Sequence, residues 1–212
     1  MSESFANAAG GRIVAELAAT MREHRDYLSE IDGAIGDGDH GINMVKGFDM
    51  AAERVEDGAS FDGALRTLGR TLVMEIGGSM GPLYGQFFKA MAKQAKGVEQ
   101  VDAPTFAAML EAAYEAIREL GDAKVGDKTL VDTLDPAIAA FKEATGAGAG
   151  FAEALDRMTE AAERGKDSTK ELVAKVGRSS RLGERSKGVL DAGATSCWLI
   201  LRTTAEFVKR QL

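Results

Sequence analysis

Apolar residues recur at helical spacing along nearly the whole chain. Ile13, Val14, Leu17 and Met21 share one stripe, with Arg12, Glu16, Arg22 and Glu23 largely off it. Phe106, Met109, Leu110, Ala113, Ile117 and Leu120 repeat the pattern behind Pro104, a residue suited to a helix's first turn. Asp135-Pro136 reads as an N-cap followed by proline at the first helical position, opening a helix over Ala137–Ala144. Phe151, Leu155, Met158 and Ala162 make a further stripe after the Gly-Ala tract Gly146–Gly150. The stretch Ala194–Val208 is apolar on most sides, which predicts a central helix. Adding Gly41–Val55, Phe61–Ile76, Leu83–Lys96 and Ser168–Val176 gives about eight helices. Alternating strands with hairpin turns do not stand out. The expected fold class is therefore all-α, an antiparallel bundle or closed ring, because short connections make neighbouring helices antiparallel. No internal repeat and no linker divides the chain, so residues 1–212 read as a single domain.

Composition sharpens this picture. Glycine is abundant at 25 residues and proline scarce at 3, and the glycines gather between the helical stripes. Hydrophobic residues make up 45% of the 212 and charged residues 28%, so the chain can bury a core without a disulfide or zinc staple. The formal charge of −7 gives little counterion release at nucleic acid, which argues against a general nucleic-acid binder. Cys197 is the single cysteine and lies beside Trp198 in an apolar run, so it reads as a buried thiol. No stretch approaches the length of a membrane span. The start, with Glu3, Arg12 and Glu16, lacks the basic and apolar regions of a signal peptide. A cytoplasmic protein that binds neither nucleic acid nor membrane is expected.

The richest chemistry lies in Asp32-Gly-Ala-Ile-Gly-Asp37-Gly-Asp39-His40-Gly41-Ile-Asn43. Three carboxylates fall within eight residues, interleaved with glycines, just before a helix. Glycine lets the backbone fold tightly enough to gather acids that would otherwise repel. An oxygen-only set suits a hard cation, Mg²⁺ or Ca²⁺, rather than zinc or copper. An EF-hand fails on spacing: counting from Asp37, the sixth residue is Ile42 and the twelfth Phe48. Magnesium completes its octahedron with waters and phosphates, so an Asp cluster opening a helix fits a Mg²⁺-nucleotide site, although an Asp-Gly turn alone is often only a solvated turn. His24 sits on a charged helix face and carries no functional expectation.

Three more glycine-rich segments lie between helices. Gly77-Gly78-Ser79-Met80-Gly81 could cradle phosphate with its amides or simply turn the chain. Gly121-Asp-Ala-Lys-Val-Gly126-Asp127-Lys128-Thr129 nearly spells a P-loop, but Asp127 separates the second glycine from the lysine and a helix precedes it. The P-loop is rejected, and the region is retained as a possible base or phosphate contact. Gly177-Arg178 through Gly188 carries four basic residues within ten positions, followed by Asp191-Ala192-Gly193. An arginine fork suits phosphate oxygens, whereas a solvated loop is the plain alternative. An antiparallel ring could collect several such loops at one end.

In this combination and order, the four segments resemble the nucleotide-binding L subunit of dihydroxyacetone kinase and the corresponding domain of single-chain ATP-dependent dihydroxyacetone kinases. The resemblance implies an eight-helix antiparallel barrel with ADP or ATP at one end. It implies two Mg²⁺ ions on Asp32, Asp37 and Asp39, and phosphates beside His40, Gly41, Asn43, Gly78, Ser79 and Met80. Gly121, Thr129 and Leu130 would border the nucleoside. Arg178, Asp191 and Gly193 would close the site, with Arg178 serving catalysis by neutralising transferring oxygens. A separate K subunit would carry the ketose on one of its own histidines. Two positions depart from the family: Met80 stands where serine is frequent, and Ala192 stands where proline is usual. Both are compatible with a subfamily acting on another ketose, such as a four-carbon one.

Three roles follow from the resemblance. One is a subunit that keeps ADP as a coenzyme, recharged by a phosphotransferase-system M subunit. The second is a split kinase for dihydroxyacetone or another small ketose, exchanging free ATP. The third is a non-catalytic nucleotide sensor.

Overall fold

The computed structural model describes residues 3–212. Among these, nine α-helices run α1 Ile13–Glu23, α2 Arg25–Ile35, α3 His40–Arg54, α4 Phe61–Glu75, α5 Met80–Ala95, α6 Ala103–Leu120, α7 Val131–Gly146, α8 Phe151–Ser168 and α9 Ala192–Lys209. The predicted stripes become buried faces, except that Leu120 at the end of α6 is exposed. On α1, Ile13, Val14, Leu17, Ala18 and Met21 are all fully buried. Three helices open on side-chain caps: Ser60 accepts from the Gly63 amide, Asp102 from Thr105 and Asp191 from Ala194.

The packing order is a closed ring. Helix α1 lies against α3, α3 against α4, and α4 through α9 each against the next, with α9 returning to α1. Thr20 on α1 meets Thr203 on α9 with hydroxyls 2.8 Å apart, and Glu16 pairs with Arg210, so the closing pair is antiparallel. The short α2 stands outside this ring of eight, against α3 and α9. Aromatic clusters fill the interior: Phe5, Phe61 and Phe207; Phe48, Phe88, Phe87 and Tyr84; Phe106, Phe141 and Phe151. They belong to one continuous apolar core.

Alternation in the ring sorts the connections by end. The connections before α3, α5, α7 and α9 lie at one end, and so do the N-termini of those four helices. The opposite end is sealed by a pair of short strands, β1 (Ser4–Ala6) and β2 (Gln100–Asp102), antiparallel with Phe5 opposite Val101. The buried Asn7 fixes this seal. Its amide donates to the carbonyls of Val98 at 2.8 Å and Ala95 at 3.1 Å, and its oxygen accepts from the Asp62 amide at 3.1 Å.

Several boundaries differ from the sequence expectation. Helix α2 was not foreseen, and it places Asp32 in a last helical turn rather than in a loop. Asp135-Pro136 does not open α7: the helix starts at Val131, with Pro136 in its interior. The expected Ser168–Val176 helix ends at Ser168; a 3₁₀ turn, Thr169–Glu171, follows, then extended chain. The strand pair joins segments far apart in sequence, beyond the reach of hairpin signals.

Pro136 has no amide to offer the Asp132 carbonyl, and α8 approaches at that point on Gly165. A Cβ at Gly165 would stand 2.3 Å from that oxygen. Gly165→Ala is expected to lose about 2 kcal/mol in urea unfolding, whereas Gly146→Ala, facing open space, should be neutral or mildly stabilising.

Candidate functional site

The Asp-Gly turn between α2 and α3 does what its sequence implies. Asp32, Asp37 and Asp39 each bring one carboxylate oxygen within 4.8 Å of the others, on a surface open to solvent. Glycines are required here by space as well as by conformation. A Cβ at Gly36 would meet Asp32 Oδ1 at 2.5 Å, and Gly38 has φ +76°. Gly41 lets α3 cross α2, since a Cβ there would lie 2.0 Å from the Arg25 carbonyl. The His40 amide, at the start of α3, donates to Asp32 Oδ2 at 3.3 Å.

Arg178 reaches across from the connection before α9 and forms an ion pair with Asp37. The segment Arg178–Ser186 packs against α2, so the basic loop and the acidic turn face each other. The sequence-predicted partners Asp32, Asp37, Asp39, His40 and Arg178 are thus brought together.

Beneath the acids lies a buried polar relay. His40 Nε2 is 2.9 Å from Ser196 Oγ, which is 2.6 Å from Tyr84 Oη; Tyr84 also donates to the Gly193 carbonyl at 3.0 Å. The relay ties the starts of α3 and α9 to α5. Burial lowers the His40 pKa to about 4, against the opposing pull of Asp32, so the imidazole is neutral near pH 7. Burial also pushes the Tyr84 phenol well above its ordinary value. Sequence reasoning missed Tyr84 and Ser196. The one available signal was the polar pair Thr195-Ser196 inside an apolar run.

Asp191 caps α9, with Oδ2 2.7 Å from the Ala194 amide. Burial raises its pKa to about 6, opposed by the Ala194 amide and by Lys128. At Gly193 a Cβ would stand 3.0 Å from Asp191 Oδ2, so the glycine leaves room for the capping carboxylate. Asp132, also missed, orders the turn before α7 by accepting from the amides of Gly126 at 2.5 Å and Thr129 at 2.8 Å. The Thr129 hydroxyl accepts from the Val131 amide at 3.1 Å.

Other positions fall differently. Met80 turns its side chain into the core, leaving only backbone at the α5 start; Ser79, just before it, is exposed, and its hydroxyl caps nothing. Gly78 has φ +71° and open space around it. Asn43 is half-buried on the first turn of α3. Gly121 lies in a shallow hollow of about 280 Å³ with Arg118 and Lys124. Lys128, within the Gly121–Thr129 region, is buried with its ammonium on backbone carbonyls. Cys197 is fully buried with a raised pKa, consistent with a core thiol.

Four helix N-termini and three carboxylates converge at one end of an all-helical ring. Such an arrangement suits a hard cation beside an anionic, phosphate-like ligand, since helix starts favour anions and clustered carboxylates favour Mg²⁺. The chain belongs to the DAK2 domain family, whose pattern it matches over residues 34–206. It is 33% identical over 204 residues to the ADP-binding subunit DhaL of PEP-dependent dihydroxyacetone kinase 2 from Listeria innocua, covering 94% of each chain. It is also 33% identical to the D-erythrulose kinase of Mycolicibacterium smegmatis, covering 94% of this chain but 36% of that one. The fold resembles the crystal structure of the dihydroxyacetone kinase of C. freundii with AMP-PNP and Mg²⁺, at TM-score 0.67 and 22% identity; the match covers 97% of this chain and 35% of that one. No described helix is long and apolar enough to cross a membrane.

The raised Asp191 pKa has a definite sign in stability. The folded state holds a proton there between the ordinary carboxylate value and about pH 6, so wild-type stability from this group falls as pH rises through that window. The Asp191→Asn variant keeps a capping oxygen but has no proton to lose. Its unfolding free energy from urea titrations should therefore gain on wild type by about 2 kcal/mol between pH 4 and pH 6.5.

Proposed function

We propose that residues 1–212 act as one nucleotide-holding domain, the subunit of a dihydroxyacetone kinase that presents Mg·ADP or Mg·ATP to a ketose carried on a separate K subunit. The observation that carries this reading is the convergence of Asp32, Asp37, Asp39 and Arg178 at the helix starts. The match to the Listeria innocua ADP-binding subunit runs over 94% of each chain, which supports the nucleotide-binding role. ADP kept as a coenzyme and recharged by a phosphotransferase-system M subunit is the preferred form. A relative from Lactococcus lactis, 36% identical, is described as the ADP-binding subunit of a PTS-dependent dihydroxyacetone kinase. Phosphoenolpyruvate-driven turnover would go with a cytoplasmic location.

The donor set fits magnesium: three carboxylate oxygens, close together and open to solvent, with no sulfur or imidazole nitrogen among them. Asp32, Asp37 and Asp39 would hold two ions. Bound there, magnesium would neutralise phosphate oxygens and keep them in line. The chain's own part is placement. Amides at Gly41 and Gly78–Met80 would face the phosphates, together with the His40 amide once it leaves Asp32 Oδ2, and Asn43 would stand beside them. Gly121, Thr129 and Leu130 would border the nucleoside, while Asp191 and Gly193 would close the site. Arg178 is the cation that can leave Asp37 to meet a transferring oxygen. Phosphoryl transfer through a loose transition state asks for this positioning and charge neutralisation rather than a covalent nucleophile. His40 suits no covalent role, because its Nε2 is engaged by Ser196.

The second reading is a split ATP-dependent kinase for a ketose such as a tetrulose. The 33% identity to a D-erythrulose kinase favours it, and the inward Met80 removes a side-chain hydroxyl from the phosphate loop.

Purified with Mg²⁺ and no added nucleotide, then denatured, the chain should release near-stoichiometric ADP if the coenzyme form holds. An empty protein that binds Mg·ATP reversibly would support the second reading. Asp37→Asn should weaken Mg·ADP binding in calorimetry by at least roughly tenfold, through loss of one ligand charge. Unchanged affinity in that variant would sink the nucleotide site. Phosphoryl transfer in the complex with a K subunit would exclude a purely sensory role.

A further inference from the structure

Lys128 is unusual on three counts. It is the one non-glycine residue with positive φ among the described residues, at 64°. It is buried, at 1% exposure. Its ammonium donates to two backbone carbonyls, Thr169 at 2.6 Å and Val189 at 2.5 Å, with Asp191 and Asp132 as the facing charges. A left-handed backbone and a desolvated cation are each unfavourable, so their coexistence points to a position fixed by its surroundings.

The two carbonyls lie at either end of the 169–191 connection, the segment that carries Arg178. The same turn touches that connection again: the Asp127 carbonyl accepts from the Lys175 amide at 3.1 Å, and its carboxylate pairs with Lys175 Nζ at 3.2 Å. At the base, the Gly188 amide donates to the Lys170 carbonyl at 2.7 Å, and the Asp191 amide to Thr169 Oγ1 at 3.0 Å. The connection is thus a compact loop with a neck, and Lys128 is the cation inside that neck. Arg178 stands outside it, reaching Asp37.

We propose that Lys128 is a positioning residue: its ammonium closes the neck of the 169–191 loop and so holds Arg178 over the carboxylate trio. The functional half rests on the nucleotide reading above; the anchoring half does not. Without the tether, the two ends of a long loop regain conformational freedom, and Arg178 samples positions away from Asp37.

Trypsin reads the anchoring directly, because Arg178, Arg181, Arg185 and Lys187 all lie on the loop. In Lys128→Met, cleavage within 178–187 should be roughly tenfold faster than in wild type, since proteolysis follows the population of the open form. Helical circular dichroism should be unchanged. Lys128→Gly is the second variant: glycine accepts the left-handed backbone without strain, so it carries the test if the methionine variant does not fold. Equal cleavage rates in a folded variant overturn the inference.

Mg·ADP affinity reads the coupling. Arg178→Ala and Lys128→Gly should each weaken binding by roughly tenfold, and the double variant should be about as weak as either alone. Multiplicative losses would mean that Lys128 does not act through Arg178. If Arg178→Ala alone leaves affinity unchanged while the loop of Lys128→Gly is still cut faster, the nucleotide role of Arg178 falls and the anchoring stands.

Discussion

Closure of eight amphipathic helices around one apolar core is the constraint on which the rest depends. In a closed ring of alternating direction, every second connection must lie at the same end, and four helix starts with it. Each helix start favours a nearby anion by about 0.3–1 kcal/mol. Two carboxylates at the separations found here repel by about 1–4 kcal/mol, depending on screening. The favourable effect of four helix starts overlaps in size with the repulsion among three gathered acids, so a nearby cation is favoured. Arg178 is the cation the chain itself supplies. The site is best understood as an electrostatic deficit created by topology, partly filled by one arginine and open to a metal ion.

Two departures from the family pattern acquire physical meaning in the structure. Met80 is core material, so the α5 start contributes only backbone at the site. Ala192 is buried with Ile31 and Leu190 in a small apolar cluster of its own. That cluster presses α2, which carries Asp32, against the start of α9, which carries Asp191. The side chain at position 192 thus contributes to the spacing of two acids, independently of any stiffening proline would supply.

The apolar stripes, the glycine-rich turns and the ring were legible because each is local or follows from loop length. The acidic turn was legible because its three residues sit within eight positions. What escaped was set by tertiary contact. Asp135-Pro136 resembled an N-cap, yet α7 starts a turn earlier because Asp132 caps the Gly126–Thr129 turn, and the carbonyl freed by Pro136 is covered by Gly165. The segment after Ser168 has helical composition, but the Thr169 carbonyl accepts from the Leu172 amide in a 3₁₀ turn and also from the Lys128 ammonium, and no helix continues. Nothing in the sequence marks Lys128 as inward, since lysine in a Gly-Asp-Lys-Thr turn ordinarily faces solvent. Tyr84 and Ser196 meet only because α5 and α9 do.

The contact between α1 and α9 joins two helices far apart in sequence. The buried face of α1 is covered in part by α9, which is made after the other eight described helices. During synthesis α1 therefore emerges with an apolar face whose cover is incomplete until α9 exists. Core and site are finished by the same late event, because α9 also brings Asp191, Gly193 and Ser196. A chain cut short before Ala192 would lack both one wall of the ring and one side of its acidic mouth. Ring closure and the assembly of the acidic mouth are acquired together, at α9.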